Sequence, residues 1–156
     1  MYLKELLVAV PAALLLGNGI AKAGQTVEEA GTMVCINDTW DEKEPEKGHK
    51  LVDNKARCVY VPNDPAVASY SDECVGKYEY MPDESWKGSG TCTETKDGDK
   101  RVATWEEGSH LKEYTYKFIS GTGKYEGLKG GGTYMYKELT STPFVGGRYK
   151  GKVELP

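Results

Sequence analysis

Apolar and polar residues alternate with period two over much of this chain, and nowhere does a 3.6-residue period persist. The sharpest case is Arg148 to Leu155: Tyr149, Gly151, Val153 and Leu155 point one way, Arg148, Lys150, Lys152 and Glu154 the other. Leu111 to Ile119 repeats the pattern, with Tyr114, Tyr116 and Phe118 on one face and Glu113, Thr115 and Lys117 on the other. Further strands are predicted at Thr32–Ile36, Arg57–Val61, Val75–Met81, Lys100–Glu106 and Thr133–Lys137, with a weaker extended piece at Leu51-Val52. Turn residues separate them: Pro82-Asp83-Glu84, Asp97-Gly98 and Gly108-Ser109. Between the pieces, Gln25–Ala30 reads as a polar lead-in. Trp40–Lys50 reads as a solvated charged loop, and Ser141-Thr142-Pro143 with Gly146-Gly147 as another loop. About eight short strands at roughly ten-residue spacing predict an all-β fold, an antiparallel meander closed into a barrel, with a two-sheet sandwich as the alternative.

One hairpin fixes its own register. Folding Val75–Met81 about Asp83 sets Tyr80 opposite Trp86, Tyr78 opposite Gly88, Gly76 opposite Gly90 and Cys74 opposite Cys92. An aromatic ring facing a glycine covers bare backbone. The chain has four cysteines, Cys35, Cys58, Cys74 and Cys92, an even number without a C-x-x-C spacing. Two disulfides are therefore expected rather than a zinc site. The hairpin register favours Cys74–Cys92 with Cys35–Cys58, while Cys58–Cys74 competes by stapling the proline loop that starts at Asn63.

The N-terminus has a different pattern. Leu6–Leu16 is an uncharged apolar run, too short to span a bilayer, and Ala21-Lys22-Ala23 resembles a cleavage site. Residues 1–23 are thus expected to be a cleavable signal peptide and residues 24–156 a single β-barrel domain, secreted or periplasmic. Removing Lys4, Lys22 and Glu5 from the 20 basic and 24 acidic residues leaves a net charge near −5. No basic stripe interrupts that acidity, so nucleic acid and anionic membranes are not expected partners.

The glycine-rich stretch from Gly121 to Tyr134 is a corner between Tyr-rich strands, not a phosphate cradle. Glu126 stands where a dinucleotide fingerprint needs its third glycine, and no helix pattern follows. The run Gly121-Thr122-Gly123-Lys124-Tyr125-Glu126-Gly127, with Gly130 to Tyr134 and Gly147-Arg148-Tyr149-Lys150-Gly151, resembles the barrel superfamily of allene oxide cyclases, dirigent proteins and small secreted bacterial relatives. The resemblance covers Lys77 to Leu155, about half the chain. It implies an antiparallel barrel whose apolar interior holds a fatty-acid epoxide in the cyclases or steers phenoxy-radical coupling in the dirigent proteins. The cysteine-rich half from Cys35 to Cys74 departs from both groups.

Candidate chemistry is aromatic. The chain has eleven Tyr and only two Phe, and a buried tyrosine must find a partner for its hydroxyl. Tyr78, Tyr80, Trp86, Trp105, Tyr114, Tyr116, Tyr134 and Tyr136 are the expected lining of a lumen that takes a small apolar or aromatic molecule, with Phe118 and Tyr149 on the same inner face. Glu106 and Glu107, beside Trp105 and followed by His110, are the one cluster suited to acid–base work in a cofactor-free isomerase or cyclase. The alternation places the two glutamates on opposite faces. No cofactor is called for. Two distant histidines and scattered acids suggest no metal site. Three functions follow: a non-catalytic binding barrel, a barrel isomerase, or a surface interaction module using the acidic loop from Asp41 to Glu46.

Overall fold

A computed structural model describes residues 24–138 and 143–156. The predicted signal peptide, and Ser141-Thr142 of the predicted loop, lie outside the described residues. Eight strands close into a barrel in which every strand pairs antiparallel with its neighbour in sequence and β8 returns to β1. They are β1 (Thr26–Glu46), β2 (His49–Pro62), β3 (Tyr70–Tyr80), β4 (Trp86–Lys96), β5 (Asp99–Gly108), β6 (Tyr114–Gly121), β7 (Lys129–Glu138) and β8 (Phe144–Glu154). A single 3₁₀ turn, Gly123–Tyr125, lies in the corner between β6 and β7. Closure leaves no open edge, which a sheet of this size otherwise has to protect.

The predicted hairpin has the expected register: Tyr80 pairs with Trp86, Tyr78 with Gly88, Gly76 with Gly90 and Cys74 with Cys92. Disulfides join Cys74–Cys92 and Cys35–Cys58, both directly opposed cross-strand pairs with Cα atoms 4.0 Å apart. The Asp97-Gly98 turn connects β4 to β5 with both φ angles positive, as a tight two-residue hairpin needs.

Three local expectations are corrected. Residues 25–30 are not a lead-in, because Thr26–Ala30 pair with Glu154–Lys150 and form the seam that closes the barrel. Residues 40–50 are not a loop but the two arms of a hairpin. Glu42 and Lys50 bridge its arms at 2.8 Å, and Gly48 takes a positive φ in its turn. A dense run of charged side chains hid those strands, since residues 40–47 of the hairpin are exposed on both faces. Gly146 and Gly147 lie inside β8, where a Cβ on Gly147 would sit 2.0 Å from the Met135 carbonyl oxygen. These glycines are a close approach between strands rather than a break.

Inward and outward residues alternate as the pattern predicts. Met33, Cys35, Cys58, Tyr70 and Tyr149 form one buried cluster; Ala103, Phe118, Tyr125, Leu128 and Val153 form another beneath it. Trp105 lies over the two neighbouring strands against Gly76 and Gly90, where added Cβ atoms would fall 2.1 Å and 2.6 Å from its ring. That opposed glycine pair makes the space the indole occupies.

Candidate functional site: a tyrosine-lined lumen with two unlike ends

The barrel encloses a cavity of about 400 Å³, within the usual range for small-molecule sites. All eight aromatic residues proposed from the sequence line it, as do all three tryptophans of the chain. Ring contacts run along the wall: Tyr78 lies 5.5 Å from Trp105, Tyr80 lies 6.0 Å from Trp86, and Tyr114 lies 5.3 Å from Tyr136. Trp40 joins this belt 5.1 Å from Tyr78 and is 40 % exposed. Trp40 is not legible as a lining residue in the sequence, because the charged run that follows it reads as a loop. Trp40, Tyr80, Trp86 and Tyr114 are only partly covered and make the mouth.

The opposite end is a floor. Arg101 of β5 is fully buried, its guanidinium 4.8 Å from the Phe118 ring and 5.2 Å from those of Tyr70 and Tyr125. Its Nε donates to Glu94 at 2.7 Å and its Nη1 to Glu29 at 2.9 Å; Lys96 Nζ donates to the same Glu29 oxygen at 2.9 Å. Burial opposes the charge on Arg101, but the two glutamates outweigh it and hold the guanidinium above its usual pKa. Burial also pushes Glu29 up, and Arg101 and Lys96 overcome it, leaving that carboxyl below its ordinary range. Two acids and two bases balance here, with Tyr125 and Leu128 from the glycine corner buried nearby. This network was not anticipated: inward polar residues alternate like outward ones, and the pattern does not say which face is wet.

Near the mouth, Glu107 is 5 % exposed and has no basic partner among the described residues. Its carboxylate accepts hydroxyl hydrogen bonds from Tyr134 at 2.7 Å, Tyr136 at 2.5 Å and Tyr78 at 3.2 Å. Burial raises its pKa and the three hydroxyls hold part of the rise back. The same burial, with the adjacent carboxylate, raises the phenols of Tyr78, Tyr134 and Tyr136, so all three remain donors. Of the acid–base cluster drawn from the sequence, only Glu107 lines the lumen; Glu106 and His110 are both exposed and neither lines it. The alternation along β5 sends Glu106 out, and the turn after Gly108 carries His110 past the rim.

Next to the floor, directly opposite Glu94 across β3 and β4, stands Asp72, also missed. It accepts the Tyr60 hydroxyl at 2.8 Å and the Cys58 N–H at 3.1 Å. Burial, helped by Glu94, pushes its pKa up to about 7. Cys58, Asp72 and Cys74 bring ligand-type atoms within 4.8 Å of one another. Both sulfurs are locked in disulfides, so no thiolate is offered and the group does not make a soft-metal site. Trp105 Nε1 is a buried donor that no described protein group accepts.

No protein-family profile and no curated protein matches the chain by sequence. Solved structures match by shape. A pterocarpan synthase dirigent protein, PsPTS1, superposes with a TM-score of 0.56 at 10 % identity over 84 % of this chain and 96 % of its own. A second, GePTS1, gives 0.52 at 8 % over 86 % and 87 %. A pyocyanin demethylase covers 78 % of this chain and 98 % of its own at 19 % identity, with a TM-score of 0.43. The fold is thus the dirigent-like, allene oxide cyclase-like barrel that the glycine-rich half resembles.

Proposed function

We propose that this protein is an exported binding barrel whose lumen takes one small, mostly apolar or aromatic molecule. One observation carries the reading: a cavity of about 400 Å³, open at an aromatic mouth and walled by tyrosine and tryptophan rings. A barrel built only to be stable would pack its interior with side chains and leave no void of this size. Here the wall carries fixed hydrogen-bonding groups instead. Trp105 Nε1 has no acceptor among the described residues, and a buried donor of that kind calls for water or a ligand oxygen. The two disulfides support export, since such bonds persist in oxidising compartments.

A second reading rests on Glu107. A buried carboxyl with a raised pKa, ringed by phenols, is equipped to pass a proton to a bound molecule, as a cofactor-free isomerase would. Binding precedes either role, so binding is tested first. All three tryptophans report on the lumen, and titration with 4-nitroanisole, a neutral aromatic quencher with acceptor oxygens, is expected to quench them to a plateau at one molecule per chain. Ala56→Phe, which fills the lumen, is expected to abolish the plateau while leaving the far-UV spectrum unchanged. Unsaturable quenching, identical in both proteins, would defeat the binding reading.

A further inference from the structure

Among the described residues, four largely buried carboxyl groups point into the barrel, and they divide into two kinds. Glu29 and Glu94 at the floor are matched by Arg101 and Lys96. Glu107 and Asp72 have no such match. Among the described residues no lysine, arginine or histidine forms an ion pair with either, and their hydrogen bonds come from neutral donors: three tyrosine hydroxyls for Glu107, one hydroxyl and one backbone N–H for Asp72. A buried carboxylate without a counter-charge is costly, and a protein that only needed its core filled would not retain two.

We infer that the molecule the lumen takes is an organic cation, an apolar or aromatic body bearing a positively charged nitrogen that faces Glu107, with Asp72 farther down the lumen. This rests on the binding reading above and names the class of its ligand. The wall suits such a molecule. Tyrosine and tryptophan faces are electron-rich and attract a cation most strongly where water is excluded. Trp40, Tyr80, Trp86 and Tyr114 present such rings at the mouth, on the path to Glu107. An inorganic ion fits poorly. Asp72 and Tyr78, whose hydroxyl marks the Glu107 carboxylate, are six residues apart on β3, about 20 Å of extended strand. One ion cannot bridge that span, and the wall between the two acids is mostly aromatic.

Three probes of nearly one shape separate charge from size: N-methylquinolinium, 1-methylnaphthalene and 1-naphthoate, each titrated calorimetrically into the purified protein. At pH 8 the cation is expected to bind at least about tenfold more tightly than the neutral probe, and the anion more weakly than either. At pH 5 the cation's advantage is expected to shrink, because protonation removes the charges it faces. The groups that set this are Asp72 with Tyr60 and Glu94 around it, and Glu107 with Tyr78, Tyr114, Tyr134 and Tyr136. Glu107→Gln is expected to remove most of the advantage, and Asp72→Asn, the second variant should the first fold poorly, to reduce it. Glu73→Gln, on the outer face beside Asp72, serves as the control and leaves all three affinities as they are. Equal affinities for the three probes, or a preference for the neutral or anionic one, would overturn the cation inference and leave the binding reading standing. Failure of all three to bind would overturn both.

Discussion

The two ends of the lumen use the same side chain for opposite purposes. At the floor, Glu94 and Glu29 are held by Arg101 and Lys96, and the charges cancel within a sealed aromatic nest. Toward the mouth, Glu107 is equally buried but is held only by phenols. Stability explains the first arrangement. It does not explain the second, in which an uncompensated acid is kept beside an open cavity at a cost to the fold. Under the proposed function, the floor serves architecture and the mouth serves the ligand.

The floor should be the more fragile. Arg101→Met leaves the buried Glu94 without its counter-charge and Glu29 with Lys96 alone, and a loss of about 3–5 kcal/mol is expected from urea unfolding. A variant as stable as the parent would mean that the network does not lock the barrel. Asp72 gives the next largest effect, and its sign is opposite to the usual one. Its pKa of about 7 in the folded state lies above the unfolded value, so the folded state binds more protons between those two pKa values. Its contribution to stability is greatest in acid and is lost as pH rises from about 4 to about 7, by at most on the order of 4 kcal/mol. Glu107 and Glu94 shift in the same direction, Glu29 in the other. Thermal unfolding of Asp72→Asn across that range should show a flatter pH dependence and a gain near pH 8; an unchanged slope would remove Asp72 from the account.

Smaller effects refine the comparison. Each disulfide closes a loop of about twenty residues between adjacent strands, so replacing either pair with alanine is expected to cost about 3 kcal/mol. Equal costs for the two would show that the lumen is braced evenly along its length. Glu107→Gln is expected to change stability by no more than about 1 kcal/mol, and in either direction, because a neutral amide still meets the three hydroxyls. A large loss there would make Glu107 a structural residue like Glu94 and dissolve the distinction between the ends.

Much of the fold is legible in the chain because period-two alternation and turn chemistry act locally. The Tyr78–Gly88 and Gly76–Gly90 pairs, and the disulfide beside them, follow from the position of one turn. The aromatic wall is legible for the same reason, since Tyr114, Tyr116 and Phe118 share a face whatever the rest of the chain does. The polar half of the site is not. Asp72, Glu94 and Arg101 alternate with outward residues exactly as solvent-facing ones would, and only closure of the sheet turns them inward. Trp40 was hidden by its charged neighbours, which disguise a strand when both of its faces meet water. Glu107 was within reach because it adjoins Trp105 in register, whereas His110 lies two residues beyond the end of β5, where register no longer fixes position.

Native mass spectrometry of the protein purified gently from its own source measures directly whether the lumen is occupied, and an occupied lumen is the central expectation. It predicts a species heavier than the chain by one small molecule, lost on denaturation and absent from Ala56→Phe prepared in the same way. A protein that flies at the bare mass of its chain under every gentle condition, and takes up none of the aromatic probes when they are added, would contradict it.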